Sequence, residues 1–292
     1  MPELPEVEAL VRFLNVRTKG RRLVRLELAS FSALKTVDPP LTELLGQGVQ
    51  GWQRRGKYLC LRLDGQWLVM HLARAGWVRW FDRLPDTEPI PGRGPVALRV
   101  GLSPQEGESG SPGFDLTEAG TEKRLSVWVV DDPNQIEAVA TLGVDPLDPA
   151  FDSATLARLL RSASGTIKSA LTNQAVLAGL GNAYSDEVLH SAKLSPFKPA
   201  RGLTEVEVAA LHTALVGVLG EAVGERSGLG AGQLKSEKRS AMKVHGRTGS
   251  TCPTCGDTIR EVAFATRSLQ YCPTCQTGGR RLADRRLSRL LK

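Results

Sequence analysis

The apolar residues at the start of the chain follow the period of a helix. Val7, Leu10, Val11 and Leu14 recur at the i, i+3, i+4, i+7 spacing, and Pro5 suits a first helical turn. Short β-branched and aromatic runs follow, separated by turn residues, and they predict a mostly antiparallel sheet region, of which a sandwich is one form. The predicted strands span residues 23–28, 58–63, 67–71, 77–81, 97–102 and 125–130.

Two later segments change this pattern. Residues 103–122 are acidic and rich in Gly and Ser, which predicts a surface loop, ordered or disordered. From Ser153 onward the spacing is helical, and Leu156, Leu159 and Leu160 carry it. We place a domain boundary near residues 135–150, where the strand-like pattern ends and the helical spacing begins.

A long helix is predicted after Thr204. Thr204 and Glu207 have the spacing of a capping box, and apolar residues follow on one predicted face: Leu211, Leu215, Val216 and Leu219. Upstream, the glycine-rich turn at residues 178–184 leads into a further helix. Since the chain has no run of about eighteen apolar residues, we predict no membrane span.

Composition and charge narrow the class of protein. With 292 residues and 41% apolar residues, the chain can bury a core in two domains or one large one. The N-terminus is acidic and has no basic and apolar signal, so we expect an intracellular protein. Residues 231–292 carry thirteen Lys/Arg and four Asp/Glu, a net +9, which leaves −2 of the total +7 for the rest. This basic region indicates polyanion binding or a solvated surface equally well.

Four cysteines form the most specific local pattern. Cys252 and Cys255 make one CxxC pair, Cys272 and Cys275 make another, and sixteen residues separate the pairs. Two such pairs on a hairpin can offer four thiolates to one structural zinc ion, which we favour over disulfides or free thiols. Residues 259–264 and 268–271 would be the strands of that hairpin. Arg267 would lie at its tip, as a contact to phosphate or base, or as a solvated residue.

Pro2 is a candidate nucleophile. Removal of Met1 would expose a secondary amine, and an α-amino group titrates near pH 8, so part of it is neutral at physiological pH. Such an amine can attack an electrophilic sugar carbon and form a Schiff base. Glu3 and Glu6 could transfer protons, or could merely favour the N-terminal end of a helix dipole.

Five segments resemble, in order, motifs of the formamidopyrimidine-DNA glycosylase and endonuclease VIII family. They are MPELPEVE at 1–8, RRGKYL at 54–59, HL followed by AG at 71–76, GLGNAY at 179–184 and VHGRTG at 244–249. The similarity runs from residue 2 to about residue 276. It implies an α+β fold: an N-terminal two-sheet β-sandwich with a leading helix, a helix–two-turn–helix domain, a C-terminal zinc-finger hairpin, and DNA in the cleft between the domains.

The resemblance also implies residue roles. Pro2 would attack C1′ of the damaged nucleotide and expel the base, Glu3 would open the sugar ring, and Lys57 would contact phosphate beside the lesion and assist catalysis. The implied DNA contacts of the second half of the chain are Lys168, Asn182 and Arg267, and Arg267 would also aid the second elimination. We add His71, Arg74 and Gln135 as candidate DNA contacts. Lys57 could instead be an exposed lysine that begins a strand, and Asn182 a plain N-cap.

The chain departs from the oxidised-purine branch of this family at three places. Arg74 stands where a methionine usually fills the gap left by the flipped base. The wedge loop reads DPNQIE at 132–137, so Gln135 or Ile136 would have to serve as the wedge. The segment 228–243 is shorter than the lesion-covering loop of that branch. A basic tail, 278–292, follows the last cysteine, and we expect it to form a short amphipathic helix that adds DNA affinity.

These observations give one leading hypothesis and two rivals. The chain is expected to be a monomeric cytoplasmic, nucleoid-associated glycosylase and AP lyase that binds duplex DNA containing a damaged base or abasic site, with one structural Zn²⁺. The expected domains are an N-terminal β-sandwich at 1–135, a helix–two-turn–helix domain at 151–240 and a zinc finger at 241–277. A linker at 136–150 joins the first two, and a basic tail follows at 278–292. The rivals are a non-cleaving binder of damaged or abasic DNA and an unrelated zinc-ribbon protein.

Overall fold

The computed structural model describes residues 1–234, 241–264 and 268–283. The chain divides into two compact units. The first contains residues 1–141 and the described residues 226–234, and the second contains residues 142–225 and the described residues from 241 onward. The chain thus returns to its first unit after residue 225, with a segment that the predicted helical domain 151–240 includes.

The first unit begins with helix α1, Leu4–Thr18. Glu3 and Glu6 form a reciprocal capping box at its start, and Pro5 lies in its first turn, so the predicted helix is confirmed. Leu10 and Leu14 are fully buried on the face that the sequence pattern indicated. α1 packs against the second strand of the unit.

Eight strands follow in the described part of the first unit. They are β1 (Leu23–Leu28), β2 (Val49–Arg55), β3 (Tyr58–Leu63), β4 (Trp67–His71), β5 (Gly76–Phe81), β6 (Val96–Leu102), β7 (Gly113–Glu118) and β8 (Ser126–Val130). They form two antiparallel four-stranded sheets, ordered β1-β6-β7-β5 and β2-β3-β4-β8. Leu61 and Leu68 of one sheet share a core cluster with Leu98 and Phe114 of the other, which confirms the β-sandwich.

The prediction of a surface loop at residues 103–122 is wrong for residues 113–118 and confirmed for the residues on either side of them. This segment contains β7, which lies between β6 and β5 in the middle of its sheet. Phe114 and Leu116 are fully buried there, and Asp115 is tolerated because Arg99 Nε donates to its Oδ1 at 2.7 Å. The acidic composition hid the strand, because the partner of Asp115 lies on a different strand.

The other strands were mostly predicted. β2 was not predicted, and β5, β6 and β8 begin within one residue of the predicted positions.

Short helices complete the first unit and longer ones form the second. The short helices of the first unit are Phe31–Ala33, Leu41–Leu44, Pro133–Gln135 and α2 (Glu137–Ala140). The second unit contains α3 (Ser153–Ser162), α4 (Ile167–Thr172), α5 (Asn182–Ser191), Ala200–Gly202, α6 (Glu205–Glu225) and Pro273–Thr277.

Helix α6 is the predicted long helix. The Thr204 backbone N–H donates to Glu207 Oε2 at 2.8 Å, so the capping box is present. Leu211, Leu215 and Leu219 are buried, but the prediction for Val216 is wrong: it is 41% exposed, because it lies about 100° around the helix from Leu215. By length and a mean hydropathy of 1.5, α6 could also cross a membrane, yet it packs against α3 and α5 as a core helix does.

The predicted cysteine hairpin is also present. β9 (Arg260–Ala263) and β10 (Ser268–Tyr271) pair antiparallel, with Val262 opposite Leu269. Residues 265–267, and with them the predicted tip residue Arg267, lie outside the described residues.

Candidate active site

The N-terminal residues of α1 are buried. Pro2 is buried, and Glu3 and Glu6 are 3% and 1% exposed. The Glu3 backbone N–H donates to Glu6 Oε2 at 2.8 Å. Because this N–H belongs to the peptide bond that joins Pro2 to Glu3, the Glu6 carboxylate orients the backbone that carries Pro2.

A second charged group reaches Glu6 from far along the chain. Arg226 Nε lies 3.6 Å from Glu6 Oε1, and the Arg226 side chain is completely buried. Sequence reasoning missed this residue. No local motif marks it, since it follows the end of α6 and is close to Glu6 only in the folded chain.

Lys57 lies in the turn that joins β2 to β3. Arg55 pairs with Tyr58, so Gly56 and Lys57 form a two-residue turn, and Gly56 has the positive φ of +54° that glycine favours. Lys57 is 8% exposed, so the structure does not support the alternative of an exposed lysine. Arg54 Nε donates to Glu8 Oε2 at 2.9 Å, which ties this turn to α1.

His71 lies beside this turn. It is paired with Tyr58 across β3 and β4, and the two ring centroids are 4.8 Å apart. Burial, and then the positive charge of Lys57, lower the pKa of His71 to about 4. The neutral form of His71 is therefore favoured at physiological pH. Lys57 lies close enough to His71 for its positive charge to lower the pKa of the imidazole.

Arg74 lies at a tight turn between the two sheets. Ala73 has a φ of +49°, and a Cβ on Gly76 would come within 2.2 Å of the Leu72 carbonyl oxygen, so glycine is required at that position. Arg74 itself is exposed. Its guanidinium is therefore accessible to solvent or to a ligand.

The loop at 132–137 places its two wedge candidates differently. Gln135 is exposed, but its side-chain oxygen accepts the Asp131 backbone N–H at 3.0 Å and completes a capping box with Asp132. Ile136 is only 7% exposed. Ile136 is thus a packing residue in this structure, and the hypothesis that it acts as a wedge is not supported.

Lys168 and Asn182 come together in the second unit. Lys168 Nζ donates to the Asn182 carbonyl oxygen at 2.8 Å and pairs with Asp186 Oδ1 at 2.5 Å. Asn182 is the first residue of α5, and Gly181 occupies the N-cap position, so Asn182 is not a plain N-cap. Its Nδ2 instead donates to the Ser268 carbonyl oxygen at 2.6 Å.

Asp186 and Glu187, which sequence reasoning did not single out, connect α5 to the cysteine-bearing part of the chain. Asp186 is 1% exposed and accepts His245 Nδ1 at 2.7 Å as well as Lys168. Glu187 accepts the backbone N–H groups of residues 243, 244 and 245. Lys168 and Asn182 also line a cavity of about 540 Å³, together with Phe197 and Phe264.

The four paired cysteines form a metal site. Their sulfur atoms all lie within 4.8 Å of one another, with 3.3 Å between Cys255 and Cys272 and 3.9 Å between Cys252 and Cys275. A tetrahedron with metal–sulfur bonds of about 2.3 Å has edges of about 3.8 Å, so the spacing fits. None of these four cysteines forms a disulfide.

A histidine adjoins this cluster. His190 Nε2 lies 3.3 Å from the sulfur of Cys252, and His190 is buried on α5. An imidazole N–H beside a metal-bound thiolate orients that ligand. Sequence reasoning missed His190, since a single histidine in a helix carries no spacing signal.

The tail is described only to residue 283. The Leu282 backbone N–H donates to the Tyr271 hydroxyl at 2.7 Å, and its side chain packs on the cluster of Val262 and Leu269. The predicted amphipathic helix, with Arg285, Arg286 and Arg289, falls outside the described residues.

Three family models match consecutive parts of the chain. The formamidopyrimidine-DNA glycosylase N-terminal domain matches residues 1–122, and the formamidopyrimidine-DNA glycosylase H2TH domain matches residues 142–232. The zinc finger found in FPG and IleRS matches residues 249–278, which include all four paired cysteines.

Full-length relatives agree with these matches. A formamidopyrimidine-DNA glycosylase from Roseiflexus sp. is 34% identical over 291 residues, covering 94% of this chain and 100% of that protein. The chain belongs to the formamidopyrimidine-DNA glycosylase family. An uncharacterized formamidopyrimidine-DNA glycosylase-like protein from Mycobacterium tuberculosis is 58% identical over 151 residues, covering 52% of this chain and 94% of that protein.

A solved structure of the family shares the fold. The Lactococcus lactis Fpg in complex with DNA containing an abasic site superposes with a TM-score of 0.81 at 27% identity, covering 94% of this chain and 99% of that one. The formamidopyrimidine-DNA glycosylase fold of sandwich, H2TH domain and zinc finger is therefore present.

Proposed function

We propose that this chain is a base-excision-repair DNA glycosylase with AP lyase activity, which removes damaged bases from duplex DNA in the cytoplasm, at the nucleoid. The observation that carries the proposal is the buried start of α1. There, the Glu6 carboxylate holds the Pro2–Glu3 peptide bond, and the Glu8–Arg54 ion pair ties the Lys57 turn to the same helix.

The chemistry begins at the nitrogen of Pro2 once Met1 is removed. Its lone pair attacks C1′ of the flipped nucleotide, and the base leaves with the electrons of the glycosidic bond and takes up a proton. Glu3 donates a proton to the ring oxygen, the sugar opens, and a Schiff base forms between C1′ and Pro2. Loss of a C2′ proton expels the 3′ phosphate by β-elimination, and δ-elimination then expels the 5′ phosphate. Water finally releases the sugar fragment from Pro2.

The remaining residues would bind and distort the DNA. Lys57 and His71 would contact phosphate beside the lesion, with Lys57 as the charged partner and His71 as a neutral one. Lys168, Asn182 and Arg267 would contact the backbone from the second unit, because extruding a nucleotide costs a few kcal/mol that backbone contacts must offset.

Arg74 and Gln135 would lie at the gap left by the flipped base. The exposed guanidinium of Arg74 can donate two hydrogen bonds to the orphaned base. Gln135 could contribute its amide nitrogen while its oxygen caps the turn. The basic tail would add contacts to phosphate.

The ion held by the four cysteines would be Zn²⁺. Four thiolates in a tetrahedron are typical of structural zinc sites and leave no open position for a substrate. The ion would stiffen the region from which β9 and β10 project and so fix the hairpin that carries Arg267.

The second candidate is a protein that binds damaged or abasic DNA without cutting it. The altered residues at the gap, Arg74 and Gln135, favour it, because they do not match the wedge residues of the oxidised-purine branch. Pure binding, however, gives no reason for the buried arrangement around Pro2.

Trapping with borohydride separates the two candidates. The protein is incubated with duplex DNA containing an abasic site, reduced, digested and analysed by mass spectrometry. We expect a covalent adduct on the N-terminal peptide, and no adduct with a variant in which Met1 is retained. Binding of the same duplex without an adduct or strand cleavage would favour the non-cleaving binder.

A further inference from the structure

The proposed chemistry does not use the buried Arg226. It directly follows α6, yet it belongs to the first unit, where its Nε lies 3.6 Å from Glu6 Oε1. Arg226 is 1% exposed and Glu6 is also 1% exposed. A buried carboxylate is costly unless a cation accompanies it, so Arg226 offsets the burial of Glu6.

Two further contacts fix the segment that follows Arg226. Trp77 Nε1 donates to the Ala231 carbonyl oxygen at 2.6 Å. Leu234 and Ala231 lie in the main core cluster of the sandwich. The backbone on which Arg226 stands is therefore anchored to the first unit, and this limits the freedom of the guanidinium.

The contacts form a chain of three groups that ends at Pro2. Arg226 faces one oxygen of Glu6, and the other oxygen accepts the Glu3 N–H at 2.8 Å. That N–H lies in the peptide bond formed by the carbonyl carbon of Pro2. A rotation of the Glu6 carboxylate would therefore turn the Pro2–Glu3 peptide plane and the direction of the Pro2 nitrogen.

We propose that Arg226 is a positioning residue for the N-terminal nucleophile, acting through Glu6. This proposal rests on the proposed function. Arg226 touches neither DNA nor the reacting atoms in this scheme; it holds the Glu6 carboxylate in the orientation that aims the Pro2 nitrogen. Loss of its charge should slow the attack of Pro2 and leave DNA affinity nearly unchanged.

The test compares Arg226→Met with Arg226→Lys. The rate of borohydride trapping is measured at saturating abasic-site DNA, and affinity is measured with DNA containing a tetrahydrofuran analogue that cannot react. For Arg226→Met we expect a rate at least about tenfold lower and an affinity within about threefold of the original. Arg226→Lys, which returns a positive charge to Glu6, should recover most of the rate.

Arg99→Met is the matched control. Arg99 is also a buried arginine of the first unit, paired with Asp115 and outside the proposed chemistry. Its loss should lower thermal stability and leave the trapping rate of the folded protein unchanged. If Arg226→Met does not fold, Arg226→Gln replaces it with the same expected results.

The outcomes distinguish the two proposals. If the unaltered chain gives no adduct, the proposed function fails. If it does and Arg226→Met traps at the same rate, only the role of Arg226 is rejected. A loss of rate, affinity and thermal stability together, without recovery in Arg226→Lys, would reduce Arg226 to a structural residue and also reject the proposal.

Discussion

Glu8 Oε2 accepts a hydrogen bond from Arg54 Nε at 2.9 Å, and through it α1 holds the turn that carries Lys57. The pair is largely buried, with 6% of the Arg54 side chain and 19% of the Glu8 side chain exposed. Burial alone would raise the pKa of Glu8, but the hydrogen bonds and charges of Arg54 and then of Arg12, whose Nε donates to Glu8 Oε1 at 2.9 Å, together outweigh it and lower the pKa. The pair thus links the stability of the unit to the geometry of its candidate site.

Replacing Glu8 should therefore have a pH-dependent cost. A carboxylate with a lowered pKa stabilises the folded chain above its unfolded pKa of about 4.3, and the effect is lost as the pH falls through the folded value. Glu8→Gln should lower the free energy of unfolding by about 1–3 kcal/mol at neutral pH and by less at acidic pH. Urea denaturation at both pH values checks this. Glu106→Gln, which removes one exposed carboxylate, is the control, and an equal effect of both variants at neutral pH would contradict the prediction.

His71 should titrate far below an ordinary histidine. Burial, and then Lys57, lower its pKa to about 4, so its neutral form is favoured in the folded chain. The chain should lose stability as the pH falls from about 6.5 toward the folded value, because the unfolded chain takes up the proton first. NMR titration of the ring, assigned with His71→Gln, measures the midpoint directly.

Lys57→Met tests the cause of that shift. Removing the cation should raise the midpoint of His71, but not to the ordinary value, because burial is the larger cause. A His71 midpoint near 6.5 in the unaltered chain would contradict the placement of both residues.

The cysteine cluster should hold one metal ion per chain. Elemental analysis of the purified protein should show it, and a chelator strong enough to remove it should lower the stability of the second unit. A loss of at least about 4 kcal/mol is expected, as for a metal present at about a thousand times its Kd. Cys255→Ser should lower the metal content.

Cys60→Ala is the control for that measurement. Cys60 is buried in β3, where burial raises its pKa to about 12, and it lies in the other unit from the cluster. Its replacement should leave one ion per chain. Equal loss of metal from both cysteine variants would count against a defined site.

The Lys168–Asp186 pair should behave as a coupled buried pair. Asp186→Asn removes the carboxylate that pairs with Lys168 and should cost about 3–5 kcal/mol in the free energy of unfolding. The double variant Asp186→Asn/Lys168→Met contains neither charge and should recover part of that loss. Denaturation of the single and double variants measures the coupling. If the two single effects simply add, the pair does not stabilise the second unit as the geometry indicates.

The sequence predicted those elements whose signal is local. α1 carries a helical apolar face beside its own cap, and the paired CxxC units carry their ligand spacing within one hairpin. In each case the residues that decide the structure are close in the chain.

The missed features depend on partners far along the chain. β7 was hidden because Asp115 is acceptable in a sheet only beside Arg99. The contact between Arg226 and Glu6 was missed for the same reason, because the two residues are far apart in the sequence and neither predicts the other. Asp186 was missed because its three partners, Lys168, His245 and the Gln270 backbone N–H, come from separate elements.

The return of residues 226–234 to the sandwich also bears on how the protein is made. The indole N–H of Trp77 donates to the Ala231 carbonyl oxygen, and the side chain of Leu234 packs in the core of the sandwich. Both residues follow α6 in the sequence, so the ribosome adds them after that helix. The core of the β-sandwich would thus be completed late in translation, after the ribosome has added α3 to α6. A fragment cut at residue 141 would lack part of its own interior, so the two halves should not be separable into independent, fully packed pieces.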